Sequence, residues 1–341
     1  MDRRQSELFQ LTEDVAVRVA GWTLFKVLTA LLGAYLVLVV VSITEGWLTH
    51  LKTCQDLTIG CLGSHLGVAI QTDNIEGFSI VVLSLLYTLE GRDRKRKRHY
   101  EAWQVIDNAA AAGVAKSYAR LKALEDLSRD GSPMNGINIS GANLEGIVLR
   151  GAVLSNSNLE QAILDFASLQ GSKLQGARMQ GAKLGSTNLQ GADLSEANLK
   201  NAQMPVANLY DSKLQGANLE LVNLEGARLD RANLRRASLQ KADLQGTELA
   251  NANLRDANLV GAELQVANLK GANLQGANLQ GANLQGANLQ GANLQGANLK
   301  DANLKDANLK DANLISTLLE SALSCRTILP DGSMTNRDCD L

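Results

Sequence analysis

The chain has 341 residues, with 33 Lys and Arg against 35 Asp and Glu, four cysteines and only 4% aromatic residues. A formal net charge of −2 excludes the strongly basic balance that nucleic-acid binding draws on. Four cysteines in a chain of this length also exclude a disulfide-dense scaffold, and the length allows one modest domain with appendages.

Residues 1–21 are polar and mixed in charge, with Arg3, Arg4 and Arg18, and read as a cytoplasmic N-terminal segment. Residues 22–43 read as a first transmembrane helix. The run LFKVLTALLGAYLVLVVVSI from Leu24 to Ile43 holds a single charge, Lys26, and is long enough to span a bilayer. Trp22 and Trp47 bracket it as interfacial aromatics do, and Lys26 can snorkel to the near surface. A buried core helix fits less well, because the rest of the chain is self-sufficient. No small-x-small site comes after the run, so a cleaved signal peptide is not expected.

Residues 44–74 are polar and read as an extracytoplasmic loop containing His50, Cys54, Cys61 and His65. Four nitrogen and sulfur ligands would suit zinc, but the spacing departs from the C-x2–4-C of ordinary zinc sites. A Cys54–Cys61 disulfide is the plainer account for a loop outside the cytoplasm. No metal or cofactor is expected elsewhere. Residues 75–91 read as a short second transmembrane helix around FSIVVLSLLYTL, with tilt or bilayer thinning making up its length. A re-entrant segment is the alternative.

Charge favours the crossing. Arg92, Arg94, Lys95, Arg96, Lys97 and Arg98 come immediately after it, whereas the loop carries only Lys52. Basic residues concentrate on the cytoplasmic side, so the charges imply a hairpin with both flanks inside, and with it a cytoplasmic position for the remainder. If residues 75–91 do not cross, the remainder lies on the opposite face. The basic run reads first as this orientation signal and second as a contact for anionic lipid headgroups, at ~1 kcal/mol per residue.

Residues 92–132 read as a basic, helical neck. Trp103, Ile106 and Ala110, then Leu121, Leu124 and Leu127, recur at helical spacing, with a break at Gly113. Asp130-Gly131 with Pro133 just beyond is a helix-stop signal. The leucine face of the second helix is placed to cap the next element of the chain.

Residues 133–329 form a five-residue repeat, purest as GANLQ between Gly271 and Leu314. Of the 39 positions stepping by five from Ile139 to Leu329, all but Ile139, Met179, Met204 and Ser324 are Leu. The residue two before each is Ala in 29 of the 39. Two inward residues separated by one outward residue fit a very short extended segment, and the next two residues must turn a corner. In Leu-Gln-Gly-Ala the Gly falls where a type II turn needs positive φ. Asn or Asp replaces it at Asn201, Asn251, Asp256, Asp301, Asp306 and Asp311, and both tolerate that region. Pro205 falls second in its turn, where its fixed φ suits. Arg231, Arg236, Lys241 and Val266 occupy the Gly position and suggest a different turn there.

The phrase A-(N/D)-L-x-x, as in Ala142–Leu144, Ala192–Leu194 and Ala272–Leu274, resembles the pentapeptide-repeat family over 191 of 341 residues. The resemblance implies an all-β solenoid, a right-handed quadrilateral β-helix with four repeats per coil and Leu inside. The α-helical membrane hairpin and the helical neck precede it. At ~4.8 Å per coil the rod would be roughly 45 Å long. The closing ILPDG, ahead of the polar tail at 330–341, resembles how many pentapeptide-repeat proteins of photosynthetic bacteria end; with the two hydrophobic segments the expectation is a membrane-anchored member in a bacterial plasma or thylakoid membrane.

No phosphate-binding loop, dinucleotide fingerprint, nucleophile elbow or H-E-x-x-H is present, and an enzyme is not expected. The expected function is a non-catalytic, membrane-tethered scaffold that presents the rod to an unidentified protein partner, with a homodimer compatible and nucleic acid not expected. Regulation of a topoisomerase, which some family members achieve by imitating DNA, is the alternative. It needs an acidic surface, whereas residues 134–329 hold 17 Lys and Arg against 17 Asp and Glu. A redox or metal sensor acting through the Cys/His loop is the second alternative. Twenty residues should return the chain to the same corner, so Arg235 stacks on Arg255 beside Arg236 as a partner patch, or as a solvated edge. Under a cytoplasmic topology Cys325 and Cys339 stay thiols. The Lys-Asp corners from Lys300 to Asp311 lie near the open C-terminal edge, where charge deters end-to-end stacking.

Overall fold

The computed structural model describes residues 25–26, 28–33 and 72–339. Most of the expected first transmembrane helix and residues 44–71 of the loop expected at 44–74, and therefore His50, Cys54, Cys61 and His65, lie outside them, whereas residues 72–74 are helical. The chain divides into two compact units, Met1–Tyr100 and Glu101–Leu341.

Residues 28–33 of the first unit are helical, and helix α1 runs without a break from Thr72 to Ala111, with its last residues, 101–111, assigned to the second unit. The expected second span at 75–91 and the basic run after it are thus one helix rather than two segments. Among the described residues no helix is long and apolar enough to cross a membrane. The physical reason is visible in α1, where the apolar stretch ends at Leu89 and charge begins at Glu90. Lys26, expected to snorkel, instead pairs with Asp93 of α1. A Cβ added to Gly33 would stand 3.2 Å from Leu85 Cδ1, so the two helical pieces pack closely where Gly leaves room.

The second unit is a parallel β-helix. Its rungs pair every twentieth residue, from Asn138 with Asn158 through to Asn308 with Ile328, and a two-residue corner interrupts every fifth residue. A coil therefore has four short walls and four corners. Within one repeat all five backbone N–H groups find acceptors, as Asn273–Ala277 shows. Asn273 N donates to Ala252 O of the preceding coil (2.9 Å), and Leu274 N to Asn293 O of the next (2.8 Å). Gly276 N reaches Gln295 O (2.9 Å), and Ala277 N closes the turn on Leu274 O (3.0 Å). The fifth, Gln275 N, donates to the Asn273 side-chain Oδ1 (3.1 Å). This explains the Asn of the phrase: a short side-chain acceptor two residues back satisfies that N–H.

Inside, Leu and Ala alternate in stacked rows, and nearly every one from Leu144 to Leu309 is 3% exposed or less. Thr in the Ala slot is accepted where its hydroxyl bonds a carbonyl, as Thr187 does to Leu164 O and Thr247 to Leu244 O (both 2.7 Å). Ser172 and Ser212, one above the other two coils apart, keep buried hydroxyls without a partner.

The corner slot has positive φ whichever residue fills it. Gly276 lies at 65°, and Arg231, Arg236, Lys241 and Val266 lie at 61°, 58°, 54° and 52°. The expected change of turn type at those four does not occur. The bond from Arg236 N to Arg255 O (3.0 Å) is the same coil-to-coil bond that glycine makes, so the ladder imposes the left-handed conformation on residues that resist it.

Both ends are closed by non-repeat elements. At the start, helix α2 (Tyr118–Arg129) is capped by the Ser117 side chain. It ends in a Schellman motif, with Gly131 N on Ser128 O and Ser132 N on Leu127 O. Leu124 and Leu127 are fully buried against the first coil together with Ile106 of α1, whereas Ala110 is exposed and takes no part. Arg120 is buried, donating to Val114 O (2.9 Å) and Ala115 O (2.5 Å), and burial pushes its guanidinium pKa down from the ordinary value. It thereby fixes the strand-like segment whose Ala115 O accepts from Asn143 N (2.7 Å), adding a rung ahead of the first coil.

At the far end β1 (Thr327–Ile328) and β2 (Met334–Thr335) form an antiparallel hairpin. Asp338 Oδ2 accepts from Ser324 N (2.8 Å), and Cys325 is disulfide-bonded to Cys339. The thiols expected there are therefore paired, because the hairpin folds the tail back until the two Cα atoms stand 4.7 Å apart. The Lys-Asp corners lie one coil inside the edge. Asp306 pairs with Arg326 (2.7 Å), while the edge itself exposes Ile315, Leu318 and Leu319.

Candidate interaction surface

Since the interior is filled, whatever the rod does it does with its outer walls and four edges. Each wall carries one outward residue per repeat, most often Asn in the C-terminal half. These side chains are already engaged. Asn298 Oδ1 accepts from Lys300 N (3.1 Å) while its Nδ2 donates to Asn278 Oδ1 one coil back (3.1 Å). Asn303 and Asn313 make the same coil-to-coil bonds, to Asn283 and Asn293 at 3.0 and 3.2 Å. The ladders stiffen the rod, and the freer chemistry sits at the corners.

The basic patch expected from the twenty-residue return is present. Arg235 and Arg255 occupy the same edge in successive coils, Arg236 adjoins them, and all three are exposed. Arg255 Nε lies 3.5 Å from Asp256 Oδ2, an exposed pair worth a few tenths of a kcal/mol. The adjoining edge extends the patch with a residue that the sequence did not assign to it. The Arg231 guanidinium lies 5.8 Å from the Tyr210 ring centre and donates to its hydroxyl at 3.1 Å. Sequence phase could have found it, since Tyr210 and Arg231 are one coil and one residue apart.

Asp193 illustrates how the walls tune charge. Burial raises its pKa, but bonds from Ser195 and Gln175 and the charge of Lys213 (3.7 Å) outweigh that and hold it below the ordinary carboxylate range. It is a wall fixture, bonded to its neighbours, rather than a proton-transfer group.

On α1 the basic run is exposed from Lys95 to Arg98. Arg94 folds back instead, its guanidinium 4.0 Å from the Tyr87 ring centre and donating to Tyr87 O at 2.6 Å. Among the described residues no group of His, Cys, Asp and Glu is arranged to hold a metal ion.

A family model described as pentapeptide repeats matches in eight copies between residues 134 and 320. Among solved structures, the chain is 35% identical to HetL, a pentapeptide repeat protein involved in heterocyst differentiation regulation from Nostoc sp. strain PCC 7120. That match covers 63% of this chain and 98% of HetL, with a TM-score of 0.39. A pentapeptide repeat protein from the Arabidopsis thaliana thylakoid lumen is 32% identical over 30% of this chain and 67% of its own, with a TM-score of 0.25. Rfr23 from the cyanobacterium Cyanothece 51142 is 29% identical over 43% of this chain and 90% of its own, with a TM-score of 0.23. No curated protein matches the chain.

Proposed function

This chain belongs to the pentapeptide-repeat family, and on that premise we propose that it is a non-catalytic scaffold whose right-handed β-helical rod binds a protein partner through its outer edges. The observation that carries this reading is the filled interior. Side chains stacked at 3% exposure or less leave convex walls and corners as the working surface, which suits contact with a macromolecule. The Arg231, Arg235, Arg236 and Arg255 group is one such contact region. Regulation of a nucleic-acid enzyme has weaker support in a rod with equal numbers of cations and anions. Affinity purification of the full-length chain, cross-linked before extraction, tests the scaffold reading. It expects a stoichiometric protein partner lost on charge reversal at Arg235, Arg236 and Arg255 or at another outer edge. A chain that recovers only itself and shows turnover of a small molecule would contradict it.

We further propose that residues 22–43 anchor the protein in a membrane. The Lys26–Asp93 pair and the approach of Gly33 to Leu85 support a helical hairpin beside that anchor. The basic run argues for a cytoplasmic rod, whereas the Cys325–Cys339 pair favours an oxidising compartment. We assign the rod to the oxidising side, since a disulfide in a reducing cytosol would be lost. Protease applied to sealed vesicles with the cytoplasmic face outward should leave the rod intact, and its digestion would overturn the assignment.

A further inference from the structure

One edge of the rod differs from the other three in charge and in the number of exposed apolar residues that its left-handed corners hold. It is built by the corner pairs that start at Glu145-Gly146 and recur every twenty residues. As far as Gln285-Gly286 it carries Glu145, Asp165 and Glu225 and no cation, whereas each other edge carries at least two Lys or Arg over the same coils. The adjoining walls add Asp243, Glu248 and Glu263 against Lys183 and Arg228.

On this same edge the glycine slot holds Phe166, Val206 and Val266, at φ 60°, 58° and 52°. Left-handed backbone is unfavourable for an L-residue and most so for a β-branched or bulky one. The coil does not require these side chains. Gly226, Gly246 and Gly286 turn the same edge at φ 63°, 62° and 68°, and Gly226 N makes the coil-to-coil bond at 2.9 Å that Val206 N makes at 2.8 Å. Nor do they pack inward, since Phe166, Val206 and Val266 are 66%, 65% and 68% exposed. Strain kept at exposed apolar residues that share one edge is a mark of use rather than of folding.

The edge between them is shaped by small residues. Gly185 and Ser186 separate Phe166 from Pro205-Val206. A Cβ on Gly185 would stand 3.0 Å from Asp165 Oδ1 and 3.7 Å from Pro205 Cγ. Gly226 and Gly246 separate Val206 from Val266. At ~4.8 Å per coil the apolar knobs are about 10 and 14 Å apart, and together they span about seven residues of an extended chain at ~3.3 Å each.

We propose that this edge is a docking strip for an extended, cationic segment of a partner protein, with apolar side chains spaced to match the knobs and Lys or Arg facing the carboxylates. The proposal rests on the protein-scaffold reading above and adds the site and the chemistry of the partner.

Short random peptides displayed on phage, panned against the full-length protein, test it. The enriched peptides should combine Lys or Arg with apolar residues, and bind more weakly as salt rises. They should lose at least tenfold in affinity for the triple variant F166G/V206G/V266G. That variant should melt no lower than the parent, because glycine is at home in each slot. Neutral or acidic peptides, or equal binding to the triple variant, would overturn the docking strip. Peptides displaced only by charge reversal at Arg235, Arg236 and Arg255 would overturn it while leaving the scaffold reading standing. Enrichment of no peptide at all would sink both, and self-association abolished by the triple variant would replace the partner by a second copy of this chain.

Discussion

Replacing Cys339 by Ser should release the tail without melting the rod. The disulfide joins residues fourteen apart, and closing a loop of that size stabilises by about 3 kcal/mol on the chain-entropy account. Solenoid coils depend mainly on their neighbours, so the loss should stay local to the last coil and its hairpin. Among the bonds that remain there are Asp338 on Ser324 N (2.8 Å), Leu329 N on Ser333 O (2.7 Å) and the Arg326–Asp306 pair (2.7 Å). Amide hydrogen exchange resolved by residue is the assay. About 3 kcal/mol corresponds to exchange faster by roughly a hundredfold at Ser324 and Leu329. Amides in the middle of the rod, such as Leu224 N on Asp243 O (2.8 Å), should keep their protection. Reductant added to the parent protein should reproduce the pattern. Unchanged exchange at Ser324 and Leu329, or a fall in protection along the whole rod, would refute the reasoning.

Four further outcomes are expected at single sites. Ser212→Ala removes a buried hydroxyl without a partner and restores the residue usual in that slot, so it should stabilise by about 1 kcal/mol in denaturant unfolding. Leu224→Ala, at a fully buried site, should cost about 3 kcal/mol, whereas Leu319→Ala at the 37% exposed edge should cost less than about 1 kcal/mol. Arg120→Ala takes its donor from Val114 O and leaves Ala115 O with Asn143 N alone, so thermal melting should show the neck coming loose before the rod, at a cost of about 2 kcal/mol. Asp338 has its pKa lowered chiefly by the Ser324 backbone N–H. Its contribution to the tail is therefore present above the ordinary carboxylate value near ~3.9 and lost as pH falls through the lower folded value. Exchange at Ser324 should rise in that acid window, and Asp338→Asn should abolish the pH dependence.

The rod was legible in the sequence because its period is rigid and every level agrees on it. Leu, Ala, Asn and the corner glycine each answer one demand of a twenty-residue coil. What escaped was context outside the repeat. Arg231, Arg236, Lys241 and Val266 looked like a change of turn because residue preference was weighed alone, whereas the bonds from the next coil outweigh a cost of about 1–3 kcal/mol at each. Pairing of Cys325 with Cys339 depends on a hairpin that folds back outside the five-residue phase, which no spacing announces. The anionic, apolar edge was written in the sequence, but only reading in steps of twenty brings Phe166, Val206 and Val266 into one line. The stacking of Arg235 over Arg255, with Arg236 beside them, follows from that same step.

The central claim, a membrane-held rod that works through its outer surface, is tested most directly by photo-cross-linking of the full-length chain in its own membranes. A photoreactive residue in place of Arg235 or Val206 should yield a discrete protein adduct in the membrane fraction, and one in place of the buried Leu224 should yield none. A chain found only in the soluble fraction, with no discrete adduct from either outer position, would contradict the account.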